Sequence, residues 1–403
     1  MKVLFVVPPL TGHVRPTVAL GAELSRRGHQ VAWSGDPAQL RSLLGPEARV
    51  LAAGEGLAPS VVAGVEQRSA GLRGAAALAF LWSEFLLPLA QAMEAGVERA
   101  VERFGPDMVV VDQQAFAGAV VARRRGLLWV TSATTSAELV DPFAGLPRVG
   151  EWVRDGLAQL AAGAGIDPGA DLRFSEHLVL AYSTEALTGP TTLPPGSGPL
   201  VMVGPCLPAD PGGPLVGPSA ALASFLRDGP AGLLVTLGTV SGGSGGRFFA
   251  TCCQALADRP VRAVLVAPRG GLSGSCVPPN VVVQPWIDQL EVLAHVDAVV
   301  CHGGHNTVCE ALARGLPLVV APIRDDQPVI AAKVTQAGAG RRVSYGRVGP
   351  AELGSAIDAA LGDPALRRAA RAIGRSFAEA GGTPRAADAL EALGRPGASD
   401  RGG

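Results

Sequence analysis

The chain has 403 residues, long for one hydrophobic core and enough for two domains. Its charges nearly cancel, 34 Lys and Arg against 35 Asp and Glu, and only 4% of its residues are aromatic, so a basic base-stacking surface is not expected and nucleic-acid binding is disfavoured. The six cysteines are scattered, which argues against a disulfide framework and for a reducing, cytoplasmic setting. The opening apolar run stops at Pro8-Pro9, too short for a signal or membrane-spanning segment, so no stable membrane insertion is expected.

Lys2 to Val7 reads as a strand buried on both faces. Pro8 to His13 follows as a turn, then a helix over Val14 to Arg27 and a strand from Gln30 to Trp33, which makes a βαβ unit. Leu78 to Leu87 is a bulky apolar helical stretch, either core or part of an acceptor wall. Asp107 to Asp112 is a buried strand ending in a carboxylate, followed by a helix over Ala115 to Arg125 and a strand over Leu127 to Thr131. The Gly- and Pro-rich segment Asp141 to Gly169 predicts loops and a short helix, and strands follow over Leu178 to Ser183 and Leu200 to Val203.

Residues 207–218 read as a linker between a first domain, 1–206, and a second, 219–380; residues 381–403 are a last helix and tail that can pack back on the first domain. In the second domain, Gly232 to Leu237 restarts a buried strand, and Gly242 to Gly246 suits a mobile lid better than a phosphate loop. The pattern predicts two doubly wound α/β domains facing across a cleft, with ligands at the carboxyl ends of the strands.

Val281 to Gln327 carries the strongest signal: strand, turn, short helix, strand, Gly303-Gly304 turn, helix, strand, loop. A strand running through a glycine turn into a helix aims backbone N–H groups at an anion, most often a phosphate. His13, beside a helix mouth at the end of the first strand, suits a neutral base, although a loop His is ordinarily a surface residue. Asp112 ends a strand of the same sheet and either orients His13 or caps the following helix. Glu310 and Asn306 share a helix face; Trp286 at a strand end either stacks on a base or packs in the core. Cys301, His302, His305 and Cys309, or Asp325-Asp326, make a poor metal set because their side chains need not converge.

In order and spacing, Trp286-Ile-Asp-Gln289, His295, His302-Gly-Gly-His-Asn306-Thr307, Glu310, Gly315-Leu-Pro317, Pro322 and Asp326-Gln327 resemble the donor signature of the nucleotide-sugar-dependent glycosyltransferases of the GT-B fold, the UDP-glycosyltransferase family of plant glucosyltransferases and bacterial antibiotic glycosyltransferases. Gly12-His13 with Pro16, and Asp112 after its valines, resemble that family's N-terminal catalytic pair. The resemblance implies that Trp286 stacks on the base with Gln289 beside it. It further implies that His302, Gly303, Gly304, Asn306, Thr307 and Thr239 bind the diphosphate, Glu310 the ribose, and Asp326 and Gln327 the sugar. His13 would deprotonate the acceptor hydroxyl, assisted by Asp112. It implies an inverting transfer that needs no metal or cofactor, from a UDP- or dTDP-sugar co-substrate to a small hydrophobic hydroxylated natural product, and leaves room for a homodimer. Glu310 tilts the donor towards a UDP-sugar and Asp326-Gln327 towards a hexose. Asp288 stands where the plant signature has Pro, which alters the turn. The alternatives are a lipid or carotenoid acceptor, or a non-catalytic nucleotide-sugar-binding protein; a nicotinamide dehydrogenase would need a GxGxxG that neither first strand has.

Overall fold

The computed structural model describes residues 1–54, 68, 72, 74–140, 143, 146–208, 218–227, 229–238, 245–268, 270, 272 and 277–395. The chain divides into two units. One comprises Met1–Ser183, Pro190–Pro208 and Ala380–Gly403; the other comprises Thr184–Gly189 and Ala209–Glu379.

The first unit is built on a sheet of β1 (Lys2–Val6), β2 (Gln30–Gly35), β3 (Val50–Ala52), β4 (Met108–Asp112), β5 (Trp129–Ala133), β6 (Val179–Ala181) and β7 (Leu200–Met202). All pairings are parallel and the order is β3-β2-β1-β4-β5-β6-β7. The apolar runs that predicted two-faced burial are buried on both faces. Leu4, Val6, Val109 and Val111 face the helices Leu87–Phe104 and Phe116–Arg124; Val3, Phe5, Met108 and Val110 face the helices Thr11–Arg26 and Gly382–Leu393. The last helix is pinned to the first by Arg27, whose guanidinium bonds Glu23, Asp388 and Glu391.

One segment differs from expectation and a second is sharpened. Residues 147–163 form one 17-residue helix, Pro147–Gly163, where loops and a short helix were expected. Pro147 starts it, Val149, Val153, Leu157 and Leu160 recur at helical spacing, and its glycines are sites of close approach: a Cβ at Gly150 would lie 3.0 Å from Phe143, and one at Gly156 3.0 Å from Leu87. The Leu78–Leu87 stretch is core at Trp82, Phe85 and Leu86, with Trp82 stacked on Phe116 at 5.5 Å. Its middle, Leu81–Leu86, is a π-helical turn between the helices Gly74–Phe80 and Leu87–Phe104. The helical run Ala76–Phe104 is, by length and mean hydropathy (1.4) alone, long and apolar enough to cross a membrane.

The second unit repeats the plan with β8 (Gly232–Thr236), β9 (Arg262–Val266), β10 (Val281–Gln284), β11 (Ala298–Cys301), β12 (Leu318–Val320) and β13 (Gly340–Arg342), all parallel, in the order β10-β9-β8-β11-β12-β13. The expected linker lies mostly outside the described residues, as do Thr239, most of the Gly242–Gly246 segment and the tail from residue 396.

Candidate active site

In the first unit the site grows from the carboxyl ends of three neighbouring strands, β1, β4 and β5. Strand order reverses between β1 and β4, and that switch point is where open α/β sheets take ligands. His13 sits one turn further into structure than the sequence suggested. The helix begins at Thr11, so His13 lies in its first turn, with its N–H donating to the Leu10 carbonyl. Pro16 lies inside the helix, in its second turn. Asp112, the last residue of β4, has a fully buried side chain, whereas that of His13 keeps 16% exposure.

His13 Nδ1 is 2.9 Å from Asp112 Oδ1 and 3.0 Å from Oδ2. Asp112 is not the cap of the next helix, since that position belongs to Ala115; its Oδ1 also accepts from the Gln114 N–H at 2.9 Å. A third group, which sequence reasoning missed, completes the cluster. Thr134 Oγ1, just beyond β5, lies 2.6 Å from Asp112 Oδ2 and 2.8 Å from His13 Nδ1. With Nδ1 facing a carboxylate, the proton of the neutral ring belongs on Nδ1, which leaves the Nε2 lone pair able to accept another.

In the second unit the corresponding switch point lies between β8 and β11. His302 directly follows β11, and Gly303 takes a φ of +90° that a side chain would strain, its Cβ also meeting Val320 at 2.8 Å. Gly304 is the N-cap of the helix His305–Ala313 and, as a glycine, has no side chain to cap it. The helix start therefore presents N–H groups that have no partner within the helix. The His302 ring is nested between glycine backbones: a Cβ at Gly238 would lie 2.6 Å from it, and one at Gly304 2.5 Å. Burial pushes the His302 pKa down to about 4, with Asp326 opposing and Arg324 adding. Its buried Nδ1 has no hydrogen-bond partner among the described residues.

Glu310 is buried rather than a surface residue, and Gln289 Nε2 donates to it and, at 3.3 Å, to Thr307 Oγ1. This ties the helix Gln289–Leu293 to the glycine-turn helix. Asp288 caps the former through Leu290 and Glu291 N–H groups, at 3.1 and 3.3 Å, which is the local change that a carboxylate in place of Pro makes. Trp286, just ahead of it, is 72% exposed, so it is not a core residue.

Asp326 holds the N-cap position of the helix Gln327–Gln336 without a side-chain cap bond. Gln327 is buried, and its Oε1 accepts from the Ile323 and Arg324 N–H groups at 2.9 and 3.0 Å. Its carbonyl therefore holds the preceding loop, in which Asp325 adopts φ +57°, and its amide NH2 is the side chain's donor group. Among the described residues no three His, Cys, Asp or Glu side chains are grouped to hold a metal; His305 and Cys309 are a buried pair 3.5 Å apart on one helix.

Residues 223–375 match the family model described as UDP-glucoronosyl and UDP-glucosyl transferase. The chain is similar to demethyllactenocin mycarosyltransferase of Streptomyces fradiae, 33% identical over 191 residues, a match that spans 45% of this chain and 41% of that protein. It is 27% identical to 4'-demethylrebeccamycin synthase of Lentzea aerocolonigenes over 97% of this chain and 99% of that one. Among solved structures, the calicheamicin glycosyltransferase CalG4 superposes with a TM-score of 0.76 at 27% identity, covering 98% of this chain and 99% of that one. With the glycine-turn helix and the two parallel sheets in hand, the match over residues 223–375 and these likenesses make the chain similar to nucleotide-sugar glycosyltransferases of the UDP-glycosyltransferase type.

Proposed function

We propose that the protein transfers a hexose or deoxyhexose from a UDP- or dTDP-sugar to a hydroxyl of a hydrophobic natural-product acceptor, inverting the anomeric carbon. The observation that carries this reading is the His13–Asp112 pair at 2.9 Å, with His13 Nε2 left able to accept a proton. In this reading Nε2 takes the proton of the acceptor hydroxyl as its oxygen attacks the anomeric carbon. The bond from that carbon to the diphosphate breaks on the opposite side, and one in-line displacement inverts the centre. Asp112 stabilises the imidazolium as it forms.

The charge released on the diphosphate falls to the start of the helix His305–Ala313, whose N-cap is a glycine, with His302, Gly303, Gly304, Asn306 and Thr307 around it. The exposed Trp286 ring offers a face to the base, and Glu310, oriented by Gln289, offers a carboxylate to ribose hydroxyls, which favours UDP over dTDP. Asp326 and the Gln327 amide are assigned to the sugar, and Thr239 to the diphosphate. Antibiotic-modifying relatives support the acceptor class. A lipid or carotenoid acceptor is the second reading, favoured by the apolar run Ala76–Phe104 and by 39% identity over 107 residues to a zeaxanthin glucosyltransferase of Pseudescherichia vulneris.

The test crosses a panel of aglycones and carotenoids with UDP- and dTDP-sugars and reads products by mass spectrometry, for the wild type and His13→Ala. We expect glycosylated aglycone from the wild type and at least a ~1000-fold loss in the variant, whose nucleotide affinity by calorimetry stays nearly unchanged. Near wild-type transfer by His13→Ala would refute the base assignment.

A further inference from the structure

The His13–Asp112 pair is held by a third side chain whose single hydrogen settles the protonation of the others. Thr134 Oγ1 lies 2.6 Å from Asp112 Oδ2 and 2.8 Å from His13 Nδ1, and the residue is buried. An ionised carboxylate only accepts, so the 2.6 Å contact takes the hydroxyl hydrogen. The hydroxyl then has only lone pairs to offer His13, and Nδ1 must be the donor there. The opposite arrangement would set a bare ring nitrogen and a bare hydroxyl oxygen against the same carboxylate.

Nδ1–H thus points into a cage of three acceptors: Oδ1 at 2.9 Å, Oδ2 at 3.0 Å and Thr134 Oγ1 at 2.8 Å. Asp112 is fixed from both sides, Oδ1 by the Gln114 N–H and Oδ2 by Thr134. Thr134 directly follows β5, which pairs with β4 through Asp112 and Ser132, so the cage is anchored in the sheet and not on a free loop. A β-branched side chain has few rotamers to choose from, which suits a fixed bracket.

We infer that Thr134 is a positioning residue of the reaction, holding the Asp112 carboxylate in place and His13 in the Nδ1–H tautomer so that Nε2 is the acceptor. The inference rests on the proposed role of His13 as base. It differs from that role in acting wholly through the two partners: Thr134 needs to touch neither sugar nor acceptor.

The test compares Thr134→Val, which keeps shape and removes the hydroxyl, with Thr134→Ser, which keeps the hydroxyl, and with His13→Ala. Thr134→Ala is the smaller replacement should Val disturb folding. We expect Val to lower kcat about 10- to 100-fold, the loss of one charge-assisted hydrogen bond, with KM for donor and acceptor unchanged. Ser should recover most of the rate. By nitrogen-15 NMR, His13 of the wild type should be the Nδ1–H tautomer alone, and the Val variant, with Asp112 still facing Nδ1 but no longer bracketed, should show a minor share of the Nε2–H tautomer beside it. Wild-type kcat and a single Nδ1–H tautomer in the Val variant, with His13→Ala inactive, would overturn the inference and leave the base assignment standing. An active His13→Ala would overturn both.

Discussion

Glu138 lies four residues beyond Thr134, on the short 3₁₀ helix Ser136–Leu139, and its side chain is almost wholly buried. Burial pushes its pKa up to about 7; the Arg173 guanidinium, 3.9 Å away, opposes this, and Asp171 and Asp112 add to it. Arg173 is already engaged by Asp171 at 2.7 Å, so it compensates Glu138 only in part. A carboxyl with a folded-state pKa above its unfolded value binds more protons folded than unfolded. Its contribution is fully present below about pH 4.5 and is lost as pH rises through about 7. Glu138→Gln should therefore melt higher than the wild type at pH 8 and match it near pH 4; calorimetric midpoints across that range check this. Neither Glu138 nor Thr134 stands out in the sequence. Thr134 lies in the polar run Thr131, Ser132, Thr134, Thr135, Ser136, and nothing local separates the one that meets Asp112 from those that bond backbone or Tyr182.

At the scale of elements, burial patterns were legible because a parallel strand covered on both faces is apolar throughout, as in β1, β4 and β11. Helix limits were less so. The helix carrying His13 starts ahead of a Pro, and Pro147–Gly163 contains glycines that read as breakers until the neighbours they admit are seen. Gly96 is the same kind of residue in the helix Leu87–Phe104. A Cβ there would lie 2.5 Å from Ala53 Cα, and backbone cannot step aside as a side chain can. Gly96→Ala should destabilise the first unit by about 1–3 kcal/mol despite alanine's better helix propensity, seen as a lower urea midpoint at unchanged m value.

At the scale of the whole chain, the two units share one strand order over six strands, to which the first adds β7, and in each the candidate groups sit beside the point where that order reverses, His13 after β1 and His302 after β11. The chain also ties its ends together within the first unit. The Met1 amino group lies 3.1 Å from His29 Nδ1, and His29 Nε2 lies 2.8 Å from Glu391, which Arg27 also contacts at 3.0 Å. His29 and Arg27 hold the Glu391 pKa below the usual carboxylate value. Stability from such a group is present above its unfolded pKa and is lost as pH falls through the folded one. Glu391→Gln should thus lower the melting midpoint by about 2–4 °C at pH 7, a difference that narrows as pH falls below the usual carboxylate value.

By itself the sequence determined the class of fold and singled out the glycine-turn stretch. Alternation of strand and helix, and a glycine turn between them, are local patterns enforced by backbone sterics and burial. It also named His13 and Asp112, because the ends of parallel strands are ordered along one edge. Only the tertiary structure decided which nitrogen of His13 faces Asp112, that Thr134 closes the cluster, that Gln289 orients Glu310 and that Gln327 turns its carbonyl onto its own loop. Each of these is a hydrogen bond between residues distant in sequence or a side-chain rotamer, and neither leaves a periodicity in the chain.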